Sequence, residues 1–332
     1  MNLLRFTVLL TTAFALFACG ESGPRVVVYT ALDPVFSREI FARFTAETGI
    51  RVDAVFDTEA TKTTGLVERI RRESRRPSCD VFWNNEILRT IRLADEDLLE
   101  RYESPSASDI PAEFKDAAGR WTGFAARART VAFDPARTAA DLVPRTHLAL
   151  ADARWRGEVA IANPQFGTTG SHLACLLAAW GEDRYRQFLE SLAANDIRVV
   201  AGNATSRDMV ISGEVALGLT DTDDVEVVRR RDASIDERRF PDEGTIVLPN
   251  TIALIRGAPN REPAERLIDF VLSETIEAEL AASKSRQIPV RDSVPVPATG
   301  LRMAEIRRLD VSFAEAAKRL PDAIRIAREI LR

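Results

Sequence analysis

Cysteine, histidine and tyrosine are scarce in this chain, with three, two and three among 332 residues. So few thiols and imidazoles, with no Cys-x-x-Cys and no His-rich tract, exclude a thiolate or imidazole metal cage. Nucleophilic catalysis needs a Ser or Cys with a His in reach. Neither His147, in a Pro-Arg-Thr-His loop, nor His172 has a partner that the sequence places beside it. Paired aspartates alone are too common to indicate acid–base catalysis. Surplus positive charge is missing as well: 45 Lys and Arg stand against 50 Asp and Glu, a net charge of -5 with pI ≈ 5.4. That balance argues against a nucleic acid bound through its phosphates. Beyond the N-terminal segment no apolar run approaches the roughly 18 residues of a spanning helix, and repeats and low-complexity segments are absent.

What is present begins with an export signal. Arg5 supplies a positive start and residues 6–18 form an apolar stretch too short to span a membrane. Leu16-Phe17-Ala18-Cys19 is similar to a bacterial lipobox, in which the Cys is lipidated and becomes the new N-terminus. Residues 20–24 read as a flexible tether. The expectation is an exported, monomeric body in the cell envelope, either in the periplasmic space or on the outer face of the membrane, lipid-anchored at Cys19. Of the other cysteines, Cys79 precedes a strand and Cys175 lies on a helix in another part of the chain, which argues against pairing although an oxidising compartment would permit it.

The body is α/β. At 45% hydrophobic and 29% charged it can bury a full core, and its length suits two domains. Residues 25–30 are a β-branched run, hence a buried strand. Phe36, Ile40 and Phe44 then recur at helical spacing until Thr48-Gly49. Residues 50–56 give a second strand, Leu66, Val67 and Ile70 mark a second helix, and residues 80–83 form a third strand ending at Asn84-Asn85-Glu86. Such alternation implies a parallel sheet with right-handed crossovers. Residues 125–133 read as a long crossing strand that carries Arg127, whose planar fork suits a carboxylate or phosphate. After the strand at 159–162, the glycines and hydroxyls of Thr168, Thr169, Gly170 and Ser171 lead into a helix. Its N-terminus is a natural anion site, with Thr169 or Ser171 as a plain N-cap the alternative. His172, one step further, is as much a structural candidate as a ligand. The stretch 215–225, VALGLTDTDDV, reads as a buried strand ending in an acidic turn with Asp221, Asp223 and Asp224. In open α/β sheets such strand ends face the ligand crevice.

VVVYTALDPVFSREIFARFTAETGIRV and the later CDVFWNNEIL resemble the N-terminal lobe of bacterial extracellular solute-binding proteins, in particular the ferric-iron binding branch. A "GE.A.G" pattern before the acidic stretch and GTIVLPNTIAL further on extend the resemblance over nearly the whole body. It implies a two-lobed periplasmic-binding-protein type II fold, each lobe a mostly parallel sheet flanked by helices, with the ligand cleft between lobes. Lobe 1 is expected over 25–125 and 246–285, and lobe 2 over 126–245 and 286–332, with the chain crossing a hinge at least twice. It also implies a substrate-binding subunit of an ABC importer, partnered by a membrane permease and carrying no catalytic cofactor.

The same resemblance places Asp33, Asn85, Glu86, Arg127, Thr168, Thr169, Gly170, Asn203, Thr222 and Asp223 at the ligand, and gives the anion to the turn at Thr168–Gly170. The branch ends the strand after "GE.A" in two metal-binding tyrosines, and those places hold Thr222 and Asp223 here. Tyr29, Tyr102 and Tyr185 lie elsewhere. Carboxylates are also hard ligands, so Glu86, Asp221 and Asp223 are the expected metal set. The cargo is then ferric iron or another hard cation, with or without a synergistic anion. A small organic phosphate, phosphonate or amine is the alternative, and an exported enzyme or a receptor-docking sensor on the same scaffold are further ones.

Overall fold

The computed structural model describes residues 23–32, 34–57, 64–229 and 234–331, so Asp33 and Cys19 fall outside the described residues. β1 (Arg25–Thr30), β2 (Arg51–Phe56) and β3 (Val81–Asn84) run parallel in the order β2-β1-β3, with α1 (Pro34–Thr48) and α2 (Thr64–Glu73) as the crossovers between consecutive strands. Gly49 at φ 72° ends α1, where the sequence put the stop. After α3 (Ile87–Asp95) and the two-residue β4 (Leu99–Glu100) the chain enters β5 (Thr122–Phe133), twelve residues that are all buried. The first half of β5 pairs antiparallel with β10 (Val247–Ile255), which in turn pairs with β3. Its second half pairs with β8 (Leu217–Asp221).

The second sheet repeats the plan. β6 (Val159–Ala162), β7 (Arg198–Val200) and β8 run parallel, joined by α4 (Gly167–Trp180), α5 (Glu182–Ala194) and α6 (Asn203–Ser212). α7 (Thr222–Arg229) follows β8 without a break, and β9 (Asp236–Arg238) adds to β5. Gly218, inside β8, lets α6 lie on the strand: a Cβ there would stand 2.6 Å from the Ser206 carbonyl oxygen. α8 (Arg261–Val271), α9 (Glu274–Ala282) and α10 (Phe313–Ile330) complete the chain.

Both crossings lie where β5 and β10 run side by side. Ala125 sits there at φ 40°, and the register shifts opposite it, between Pro249 and Asn250. A bulge of this kind adds a residue to one strand, bends it and re-aims the side chains beyond. The Ala125 amide, freed from the ladder, donates to Glu277 Oε1 at 2.9 Å. Residues 286–290 form a third strip beside the same point, with Ile288 and Ala126 exchanging backbone bonds of 2.6 and 2.7 Å.

The position of the C-terminal segment differs from the expectation. Ile288, Val290 and Ile306 pack with Val26, Phe44, Trp83 and Leu267, the core on one face of the first sheet, although the sequence placed 286–332 in lobe 2. Only α10 follows the expectation in part. Its stripe of Ala316, Leu320, Ala323, Ile326 and Ala327 is buried against α4 of lobe 2 and also against α3 of lobe 1. Lys318, Arg325 and Arg328 line its exposed side, the polar face of an amphipathic helix. Cys79 and Cys175 are both buried and free. No described helix is long and apolar enough to cross a membrane.

Candidate functional site

All but one of the parallel strands deliver their C-terminal ends to one cleft. Leu32 follows β1, Asn85 follows β3, Asn163 follows β6, Gly202 follows β7, and Asp221 closes β8; all five line it. The cleft has a cavity volume of about 40 Å³. A water needs roughly 10–15 Å³ on this measure, so an ion or a few waters fit. Drug-sized ligands occupy roughly 300–1,000 Å³. A larger groove of about 780 Å³ lies elsewhere, beside Trp121, Val247 and Phe313. Both of its arginines pair with carboxylates of its own lining, Arg308 with Glu113 and Arg120 with Asp116, and none of the residues expected at the ligand lines it.

One pole of the cleft is acidic. Asp221, Asp223 and Asp224 each present a carboxylate oxygen within 4.8 Å of the other two, a spacing that could hold a cation. Asp223 and Asp224 stand in the first turn of α7, where the helix dipole favours negative charge. The sequence puts them in a turn; the helix starts directly after β8 at Thr222, whose Oγ1 accepts from the Ala128 amide at 3.2 Å. Opposite them stands Arg127, 2% exposed. Its Nε donates to Asp223 Oδ2 at 2.9 Å, Nη2 donates to Asn250 Oδ1 at 3.0 Å, and Nη1 donates to the Asn85 carbonyl. Burial works against its charge, but Asp223 and Asp221 outweigh that and hold its pKa above the ordinary arginine value.

The other pole favours an anion. The N-termini of α4 and α6 both reach the cleft, through Phe166 and Gly202, and neither N-cap residue supplies a side-chain acceptor to the first-turn amides. Thr169 and Ser171, offered by the sequence as caps, lie inside α4, since the helix starts at Gly167. Ser171 Oγ donates instead to Glu86 Oε2 at 2.6 Å.

Behind both poles a second buried arginine ties the lobe together. Arg129, fully buried, donates from Nη1 to Asp221 Oδ1 at 2.7 Å and Thr168 Oγ1 at 3.0 Å, and from Nη2 to Thr169 Oγ1 at 3.3 Å. Its Nε donates to His172 Nδ1 at 3.2 Å, which leaves that ring protonated on Nε2 when neutral. Thr168 and Asn203 both donate to Asp221 Oδ2, at 2.6 and 2.8 Å. His172 meets His147 edge-on at 5.0 Å, and His147 stacks on Phe240 at 3.8 Å. Burial lowers the pKa of both rings. His147 does have a partner, Glu243 Oε2 at 3.0 Å, which the sequence could not pair with it across 96 residues.

Of the residues expected at the ligand or metal, Asn85, Arg127, Thr168, Asn203, Asp221 and Asp223 line the cleft. Thr169, Gly170 and Thr222 support it from behind and do not line it. Glu86 is not among the clustered carboxylates. It is fully buried as the N-cap of α3, accepting from the Leu88 and Arg89 amides, and Asp224 takes its place in the acidic group. Sequence reasoning also missed Arg129, two residues from Arg127 on the same strand and so on the same face of it. Leu32, Phe36, Asn163 and Phe166 were likewise not singled out as ligand contacts and carry no local signal for that role. The three tyrosines are engaged elsewhere: Tyr29 donates to Glu73, Tyr102 to Asp269 and Tyr185 to the Ala323 carbonyl. Burial raises the pKa of each phenol.

Known proteins share this fold. The family model for bacterial extracellular solute-binding proteins matches residues 89–313. The chain is 28% identical over 303 residues to iron uptake protein A1 of Synechocystis, covering 88% of this chain and 82% of the relative. Iron-bound HitA from Pseudomonas aeruginosa superposes with a TM-score of 0.85 at 21% identity, over 93% of this chain and 99% of that one. AfuA from Actinobacillus pleuropneumoniae, with fructose-6-phosphate bound, gives a TM-score of 0.81 at 21% identity, over the same shares of the two chains. With the matching family model over more than half its length and the two-lobed fold of these structures, this chain belongs to the bacterial extracellular solute-binding protein family.

Proposed function

We propose that this protein is the solute-capturing subunit of an ABC importer, exported and held by lipid on Cys19, whose cargo is ferric iron or another hard cation taken together with a small anion. One observation carries the choice of cargo: a 40 Å³ cleft with three clustered carboxylates on one side and two helix N-termini on the other. That volume admits an ion and a few ligating atoms, and carboxylate oxygen suits hard cations. The relative named for iron uptake supports iron as the cation. With every tyrosine bonded elsewhere, the ligands here are Asp223, Asp224 and Asp221, and a cation reaching Asp223 competes with Arg127 for it. Capture proceeds by hinge closure, and only contacts that differ between open and closed forms drive it.

A binder rather than a catalyst is also supported by the placement of the reactive groups. Cys79, Cys175, His147 and His172 are all buried and none lines the cleft. A second cargo is favoured by one observation: Asp221 and Asp223 are each bonded to a buried arginine, which leaves Asn163 and the two helix starts as donors. A small organic phosphate or phosphonate would use these donors, provided the lobes open to admit it.

Thermal unfolding of the mature protein against Fe(III) salts, other hard cations, sugar phosphates and aminophosphonates separates the two cargoes, because a ligand of the native state raises Tm by mass action. A shift with Fe(III) that Asp223→Ala and Asp224→Ala abolish is the expected result. A shift confined to phosphorylated solutes and lost in Asn163→Ala selects the second cargo. Conversion of any of these solutes would sink the transport role.

A further inference from the structure

The edge of the first sheet opposite the cleft carries an unusual arrangement of charge. β1, β2 and β3 begin there, and so does the turn that joins α2 to β3. That turn is stitched to the start of β1: the Asp80 amide donates to the Val27 carbonyl at 2.9 Å, and Asp80 Oδ2 accepts from the Val27 amide at 2.7 Å. Arg72, Arg75 and Arg76, on the last turn of α2 and the loop after it, are exposed.

Asp80 is taken up by the Val27 and Asn260 amides, and the other carboxylates paired in this region serve other arginines. Glu68 pairs with Arg71, Glu73 with Arg69, Glu96 with Arg71, Asp97 with Arg256, and Asp53 with Arg25 and Arg51. Among the described residues no ion pair reaches Arg72, Arg75 or Arg76. The acidic protein, with net charge -5, thus keeps three uncompensated positive charges together at one end.

The chain itself enters at that end. Pro24 lies beside the start of β2, its carbonyl accepting from the Arg51 amide at 3.0 Å. Resting on the lipid anchor proposed above, residues 20–24 allow the start of β1 no more than about 22 Å from Cys19. A leash that short keeps this edge within reach of the bilayer. We infer that Arg72, Arg75 and Arg76 form a membrane-contact surface that engages anionic phospholipid headgroups and fixes how lobe 1 lies on the membrane. Attraction of clustered arginines to an anionic surface falls off within a Debye length, and the tether keeps them within reach of it.

The test uses the full-length chain, exported and processed, with the mass of its N-terminal peptide first reporting lipid on Cys19. The protein is reconstituted into vesicles of phosphatidylglycerol and phosphatidylethanolamine, and in parallel of phosphatidylcholine alone, and amide hydrogen exchange is followed at residues 72–78. Slower exchange on the anionic vesicles only, reversed by 0.5 M salt (a Debye length of about 4 Å) and by R72E/R75E/R76E, is the expected result. The uncharged R72Q/R75Q/R76Q guards against a folding defect in the reversed variant and should show the same loss. If Cys19 carries no lipid, co-sedimentation of the soluble exported protein with the same vesicles reads the surface alone. Three arginines should then account for a partition coefficient on the order of a hundredfold. Equal exchange on both vesicle types, or protection that needs a membrane protein partner in the vesicle, overturns the assignment.

Discussion

Arg129 and Asp221 face each other across the β5–β8 ladder, and their side chains close a 2.7 Å ion pair on the wall of the cleft. Arg129 is fully buried and Asp221 is 3% exposed, so neither charge can be solvated if the other is lost. Removing one partner of such a pair costs about 3–5 kcal/mol, far more than removing both. Chemical denaturation should therefore show Arg129→Met losing about that much, and Arg129→Met with Asp221→Asn losing less than Arg129→Met alone. A double variant less stable than either single one would mean that the pair is not the unit that matters.

Glu86 and Ser171 make the corresponding bond between lobes, from the N-cap of α3 to the first turn of α4. Loss of the cap costs about 1 kcal/mol, and a hydrogen bond to a charged group about 1.5–3. Urea titrations should place Glu86→Ala about 3 kcal/mol below the parent and Ser171→Ala about 2 kcal/mol below it. The double variant should lose less than their sum, since both remove one bond. Strict additivity would show that the contact carries no energy.

Acid should weaken the protein through its two histidines. Burial holds the folded pKa of His147 and His172 below the ordinary 6.5, His172 well below. The unfolded chain thus binds more protons below about pH 6.5, and stability falls as the pH drops through that value. Each ring contributes about 1.4 kcal/mol per pH unit until its folded pKa is reached. Tm measured from pH 8 to pH 5 should decline, and His172→Gln, which keeps an acceptor for Arg129, should flatten the decline. An unchanged slope in that variant would assign the acid sensitivity to other groups.

Gly218 should resist any side chain. An added Cβ meets the Ser206 carbonyl oxygen at 2.6 Å, a backbone atom of α6 that cannot rotate away. Gly218→Ala is expected to cost about 1–3 kcal/mol, read by denaturation, and to weaken cargo binding by moving Asn203 at the start of α6. Full stability would mean that α6 shifts freely on β8.

Much of the fold was legible because the chain states it locally. The β-branched run at 25–30, the helical spacing of Phe36, Ile40 and Phe44, and the apolar stretch into Asp221 each carry their own period and stop. The acidic cluster was legible too, since three carboxylates at a strand end are adjacent in sequence. Glu86, expected in the metal set, is the N-cap of α3 instead, since a carboxylate after a strand can serve a ligand or cap the next helix. Its choice depends on Ser171, which is 85 residues away.

By itself, then, the sequence determined the order of strands and helices, the strand ends that line the cleft, and the family, since these rest on short-range periodicity and on motifs read in order. Tertiary structure decided the rest. It bent β5 at Ala125, turned Arg127 to Asp223 and Arg129 to Asp221, put 286–306 into the core of lobe 1, and left Arg72, Arg75 and Arg76 with no ion pair among the described residues. Each of these outcomes depends on burial and charge brought together from distant parts of the chain, and no local pattern records which charge will find which.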